Sequence, residues 1–250
     1  MALSFNSLYD ENVLSIKAYG EHKVKISMIS KSRISGLEKD DGHYVRKNSV
    51  NTEKLSCNLA RAKTKVRELV LCNEWEYWCT FTISPEKYDR YNLDTYMKDF
   101  AEFIHNLNRR REKKIKYLFV PEMHQDGAWH IHGFIMGLSE KDIIVNKNGY
   151  LTWKQYNAKF GFMSMSKIGD LEKCSSYVLK YMTKDASKNV SELGNHLYYA
   201  SQKLETAQRI YKGHGIFHGE WDWEHPDGYC KVKTIDTRYQ CIEELVEVLE

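Results

Sequence analysis

Hydrophobic positions along the chain change period several times, and each change marks an element. YWCTFTIS (77–84) alternates, with Tyr77, Cys79, Phe81 and Ile83 on one side and Trp78, Thr80 and Thr82 on the other. That is the period of a half-buried strand, and Pro85 ends it. LDTYMKDFAEFIHNLNRR (93–110) turns to the helical period, burying Tyr96, Phe100, Phe103, Ile104 and Leu107. KIKYLFVPEM (114–123) and AWHIHGFIMG (128–137) read as two strands joined at Asp126-Gly127, a turn dipeptide. Upstream, LSCNLARAKTKVRELVLC (55–72) predicts a helix with a stripe of Leu55, Leu59, Ala62, Val66, Leu69 and Val70. Downstream, EKCSSYVLKYMTKDAS (172–187) predicts another, and YLTWKQYNAKFGF (150–162) carries both helical and strand features. Toward the ends, KVKISMIS (23–30) reads as a strand and SGLEKDDGHYVRKNS (35–49) as a loop. Residues 196–209 read as a helix, 213–220 as a Gly- and His-rich loop, and IEELVEVLE (242–250) as an acidic terminal helix. No internal repeat is visible.

The order strand, helix, hairpin, helix predicts an α+β fold. A central antiparallel sheet has helices packed on one face, and its other face is free for a ligand. The 250-residue length fits one large domain or a domain with appendages. The division expected is an N-terminal extension over 1–54, a main domain over 55–210, and a C-terminal extension over 211–250 ending in the terminal helix.

Composition narrows the field only modestly. Hydrophobic residues make up 42% of the chain, and the 14 Gly and 3 Pro are too few for a linker-rich protein. A net charge of +3 neither demands nor excludes a polyanionic partner, because a groove can be basic while the whole is balanced. The six cysteines form no CxxC pair, which argues against a thiolate zinc site. No signal pattern opens the sequence and no run of about 18 apolar residues occurs, so no membrane partner is expected. A reduced, cytoplasmic compartment follows.

WHIHG (129–133) places His130 and His132 on one face of a strand and Ile131 on the other. Two imidazoles so spaced can reach one divalent cation; the plain alternative is a pair of surface or hydrogen-bonded histidines. Glu122 and His124 on the preceding strand join them only if the turn has odd length. A three-residue turn over 126–128 would set Glu122 opposite His132 and His124 opposite His130. Glu122 is the third ligand expected and His124 the reserve; such a set suits Mg²⁺ or Mn²⁺.

YVLKYMTK (177–184) places Tyr177, Lys180, Tyr181 and Lys184 at i, i+3, i+4 and i+7, one helical face. Leu171, Val178, Leu179 and Met182 centre nearly opposite, so the helix can bury its aliphatic side and present two phenols between two ammonium groups. A phenol has a pKa of about 10 and is a poor nucleophile at neutral pH. A neighbouring lysine stabilises the phenolate, and a metal activates the phosphate it attacks. The plain alternative is a pair of boundary tyrosines with solvated lysines.

WCTFTIS, WHIHG and YVLKYMTK, in that order, resemble the motifs of the HUH endonuclease superfamily, in particular rolling-circle replication initiators of plasmids and single-stranded-DNA phages in their two-tyrosine form. The resemblance covers about residues 55–210. It implies an RNA-recognition- or ferredoxin-like sheet and a divalent metal, Mg²⁺ or Mn²⁺. It also implies nicking and joining of single-stranded DNA or an origin hairpin, a 5′-phosphotyrosine and a free 3′-hydroxyl that primes synthesis. His130, His132 and Glu122 become metal ligands, Tyr177 and Tyr181 nucleophiles, and Lys180 their electrostatic helper. Lys184 would serve the second tyrosine or a phosphate. Thr80 and Thr82 on the open sheet face, and Arg61 and Lys65 on the first helix, become candidate DNA contacts; the plain reading of the latter two is a solvated helix face. With no GxxxxGK[ST] motif in the chain, unwinding falls to a host helicase, which places the protein in a bacterial cytoplasm. Transposases and mobilisation relaxases share this chemistry. A non-catalytic nucleic-acid-binding module is the rival from another class, and a structural metal-binding domain leaves the Tyr/Lys face unexplained.

Overall fold

The computed structural model describes residues 9–33, 52–184 and 196–249. The element order is β1 (Tyr9–Tyr19), β2 (Lys23–Arg33), α1 (Thr52–Leu71), β3 (Tyr77–Ile83), α2 (Leu93–Asn108), β4 (Lys116–Met123) and β5 (Trp129–Met136). There follow β6 (Ile143–Val145), β7 (Leu151–Trp153), α3 (Lys154–Lys159), β8 (Gly161–Lys167), α4 (Leu171–Lys184), β9 (Tyr199–Ala200), β10 (Gln208–Phe217), β11 (Trp223–Glu224), β12 (Cys230–Asp236) and β13 (Val246–Val248). The chain forms two units: one from both ends (1–49 and 206–250), the other from 50–205.

The 50–205 unit is built on an antiparallel seven-stranded sheet in the order β6-β7-β8-β3-β5-β4-β9. Within it, β3-α2-β4-β5-α3-β8 is a βαββαβ unit with spatial order β8-β3-β5-β4. This is the ferredoxin-like arrangement, in which the third strand separates the first two and all neighbours run antiparallel. The α+β class and the antiparallel sheet are as the hydrophobic pattern predicts.

Strand alternation divides the sheet into two cores. Cys79, Phe81 and Ile83 of β3 and Ile131 and Ile135 of β5 meet Tyr96, Met97, Phe100 and Ile104 of α2 and Tyr156 and Phe160 of α3. Asn92 caps α2 by accepting from the Thr95 N–H. On the opposite face, Leu118, Val120 and Phe134 meet Val66, Leu69 and Val70 of α1 and Val178 and Met182 of α4. The helices therefore do not all lie on one face: α2 and α3 cover one side, while α1 and α4 cover part of the other. The helical stripe on 55–72 already contained this result, since Val66, Leu69 and Val70 need a second apolar surface to bury against.

The 150–162 stretch is strand, short helix and strand in succession, which explains its mixed signal. Three other expectations fail. The helix expected at 196–209 is β9 and a connecting turn, because Tyr199 and Ala200 pair with Phe119 and Leu118 at the open sheet edge. The loop expected at 213–220 lies mostly in β10. A Cβ on Gly215 would stand 2.8 Å from the Glu247 carbonyl and 2.9 Å from the Leu14 side chain, so this glycine permits close strand approach rather than a turn. The terminal helix is absent; Val246 and Val248 add β13 to the edge of β10. The loop expected at 35–49 and the end of the helix at 185–187 lie outside the described residues.

The unit formed by the chain ends is a six-stranded antiparallel sheet ordered β11-β12-β2-β1-β10-β13. Leu14, Ile16, Val24, Ile26 and Ile235 form its core under Phe217, Trp221, Leu245 and Val246.

Candidate functional site

The β4–β5 hairpin closes through a three-residue loop over 125–127. His124 N–H donates to the Ala128 carbonyl (2.8 Å) and Gly127 N–H to the His124 carbonyl (2.9 Å). Gly127 supplies the left-handed residue that ends such a loop, with φ +82°. The Asp126 carboxylate accepts from Ala128 N–H (3.1 Å) and from Arg90 (2.8 Å), fixing the tip.

The loop thus has odd length, but it begins one residue earlier than the expected 126–128 turn. Glu122 consequently stands opposite His130, and Val120 opposite His132; His124 faces the loop residue Ala128 instead of His130. Parity is unchanged, so Glu122, His130 and His132 share one face. Thr80 and Thr82 of β3 stand beside them, opposite His132 and His130 respectively.

A hydrogen-bonded line crosses three strands on this face. His132 Nε2 lies 2.8 Å from Glu122 Oε2, and its Nδ1 lies 3.2 Å from Thr80 Oγ1. Both His132 and Glu122 are buried. A carboxylate only accepts, so Nε2 carries the proton and Nδ1 accepts from the threonine hydroxyl. His130 is half-buried, and its ring stacks on His124 with centroids 3.8 Å apart. Burial pushes its pKa down, helped by the neighbouring His124 and His132, so the neutral imidazole, the form that binds metals, is favoured.

The donor chemistry fits a divalent cation. Neighbouring ligands of an octahedral ion with bonds of about 2.1 Å stand about 3 Å apart, close to the Glu122–His132 separation. The set is not preassembled: among the described residues no three His, Cys, Asp or Glu side chains converge as a metal cage. His132 and Glu122 meet each other, while the His130 ring is engaged with His124.

Helix α4 sets its tyrosines against the same face. Val178 and Met182 bury toward α1 and β4, as the aliphatic stripe predicts. Tyr181 lies face to face on His132, with centroids 3.9 Å apart and planes within 9°. Its hydroxyl bonds the Tyr177 hydroxyl at 2.6 Å. Burial raises the Tyr181 pKa, followed by the hydrogen bond to Tyr177 and the negative charge of Glu122, so this phenol stays protonated. Tyr177 is exposed, and Lys180 Nζ stands 5.9 Å from its ring centroid. Lys184 closes α4, and its side chain lies outside the described residues.

The DNA contacts expected on α1 divide. Lys65 is tied to Glu68 at 2.6 Å, so its charge is partly spent within the helix. Arg61 is exposed. Two residues not singled out in the sequence also adjoin the tyrosines. Trp78 makes an edge contact with Tyr177 (5.4 Å) and stacks near Tyr181 (6.5 Å). Its alternation with Thr80 and Thr82 already placed it on this face. Arg67, with Glu172, Lys173, Ser176, Tyr177 and Lys180, lines a shallow cavity of about 440 Å³ between α1 and α4. Only the pairing of two distant helices makes that cavity visible.

Residues 76–186 match a family described as replication-associated protein, of the ORF2 type. The span runs from the start of β3 past the end of α4 and contains every candidate ligand and nucleophile. The match supports a Rep-type, replication-associated protein and, with it, a DNA partner. Neither the curated proteins nor the solved structures yield a match. Among the described residues, no helix is long and apolar enough to cross a membrane.

Proposed function

We propose that this chain nicks and rejoins single-stranded DNA to initiate rolling-circle replication. A tyrosine oxygen of α4 attacks the scissile phosphorus, and the bond from phosphorus to the 3′ oxygen breaks. The phenolic proton leaves the tyrosine and the departing 3′ oxygen takes one up. The products are a 5′-phosphotyrosine and a 3′-hydroxyl, and the phosphoester energy is kept for rejoining. One observation carries the reading: Tyr181 rests on His132 while hydrogen-bonding Tyr177, so the nucleophile helix and the histidine strand meet at one place. Isolated boundary tyrosines would not need that partner.

Glu122, His132 and His130, with His124 in reserve, are the residues that would hold Mg²⁺ or Mn²⁺, which would withdraw charge from a non-bridging phosphate oxygen. Lys180 favours negative charge developing on the Tyr177 oxygen. Thr80 and Thr82 offer hydroxyls to the strand as it crosses the open face, and Arg61 adds charge on α1. A host helicase supplies unwinding.

The test incubates the full chain with Mn²⁺ and a pool of single-stranded oligonucleotides and looks for covalent adducts on denaturing gels. Adducts that vanish in the Tyr177→Phe, Tyr181→Phe double variant are expected. A folded protein that binds Mn²⁺ yet forms no adduct with any pool would sink the proposal.

A further inference from the structure

The six-stranded sheet takes no part in the chemistry above, and its two faces differ sharply. One is the apolar face of Leu14, Ile16, Val24 and Ile26. On the other, register lays the side chains out in rows across β10, β1, β2 and β12. One row is Lys212, Ser15, Ser27 and Val232; the next is Arg209, Lys17, Lys25 and Thr234; a third holds Tyr19, Lys23 and Asp236. Neighbouring strands are about 4.8 Å apart and successive rows about 7 Å.

Arg209, Lys17 and Lys25 therefore stand side by side on three adjacent strands, with Lys212 and Lys23 in the flanking rows. Arg209 and Lys212 are exposed, and Lys17 and Lys25 half-buried. The one carboxylate in these rows, Asp236, is held bidentately by Arg238 at 2.6 and 2.9 Å. Like charges directly opposite one another weaken a sheet. The row becomes favourable when a polyanion lies across it. A fixed lattice of ammonium, guanidinium and hydroxyl groups suits phosphate oxygens and offers little to read a base sequence.

We infer that this face binds the phosphate backbone of duplex DNA, so that the unit lacking the tyrosines holds the DNA on which the other unit works. The choice of DNA among polyanions rests on the proposed function.

The test measures binding of the full chain to a labelled duplex of arbitrary sequence, in EDTA, across a salt series. The unaltered chain is expected to bind with a steep salt dependence. The Lys17→Gln, Arg209→Gln double variant is expected to lose about two units of salt slope and roughly tenfold or more in affinity at about 0.15 M salt. Its melting temperature is expected to hold or rise, because like charges have been removed. Lys212→Gln, at an exposed position, is expected to lose about one unit of slope. Three results overturn the inference: no salt-dependent binding by the unaltered chain, an unchanged slope in the double variant, or a lower melting temperature, which would mean these cations serve the fold. Adduct formation by the unaltered chain in Mn²⁺ reports separately on the nicking reaction. An adduct without duplex binding defeats only the inference; duplex binding without an adduct defeats only the proposed function.

Discussion

Tyr181 commits its hydroxyl to Tyr177 and its ring to His132, whereas Tyr177 is exposed and adjoins Lys180. On this geometry Tyr177 makes the first attack, and Tyr181 assists by donating to the oxygen that becomes negative. Tyr177→Phe should abolish the first adduct. Tyr181→Phe should keep it but slow its formation by about fivefold, the worth of one hydrogen bond, and lose the second transfer. Single-turnover cleavage of a labelled oligonucleotide decides this, and cleavage intact in Tyr177→Phe would reverse the assignment. A second residue matters for the fold alone. A Cβ on Gly133 would lie 2.0 Å from the Leu118 carbonyl oxygen and 2.9 Å from Phe119 Cα, both backbone atoms of the adjacent strand. Gly133→Ala must therefore push β4 and β5 apart, at a cost of about 1–3 kcal/mol or more, read as a drop in melting temperature. The glycine of WHIHG thus serves strand approach, a role its position after two histidines did not reveal.

Elements are tied together by a few buried charges. Asp142, in the turn after β5, accepts from Arg111 (2.6 and 2.7 Å), from Ser139 N–H and Oγ (2.8 and 2.7 Å) and from Gln155 (2.7 Å). It fastens the end of α2 to the β5–β6 connection and to α3. Burial alone would raise its pKa; these donors outweigh burial and hold the carboxyl well below the ordinary range. A depressed folded pKa means its stabilisation is complete above the unfolded value, about pH 4, and drains away as pH falls through the folded one. Asp142→Asn should cost roughly 3 kcal/mol at pH 7, at the low end for breaking a buried pair because Arg111 reaches the surface. It should also flatten the loss of stability below about pH 4. Urea unfolding between pH 2 and 7 measures both, and parallel pH profiles for variant and parent would refute the account. Element type was legible where a segment's own alternation or helical stripe matched the surface it buries, as in β3, α2 and β5. It was not legible in β9, β10 and β13. There the pairing partner lies far away in sequence, and edge hydrogen bonds outweigh local turn and helix preferences.

The molecule as a whole has cores that respect its two units. Two clusters draw only on residues of 50–205, and the third only on the chain ends. A fragment of residues 50–205 should therefore fold alone with one cooperative urea transition, as circular dichroism would report; a broad, non-cooperative melt would show that it needs the other unit. The end-built sheet pairs Val13 with His214, so closing it spans most of the chain, and it should form after the middle unit. Pulsed hydrogen exchange should then show β3 and β5 protected before β10.

What the sequence determined by itself was parity and order: which side chains share a face of β3, β5 and α4, and that the three motifs follow one another with suitable elements between them. These are properties of neighbours a few residues apart, set by the two-residue period of a strand and the 3.6-residue period of a helix. Tertiary structure decided the distances and the partners. It set the loop over 125–127, which moved Glu122 opposite His130. It brought Tyr181 onto His132, paired α1 with α4 on the second sheet face, and joined the two ends of the chain in one sheet whose cations stand in rows. Each of these depends on pairing between segments distant in sequence, where packing and strand-edge hydrogen bonds act between residues that no local pattern relates.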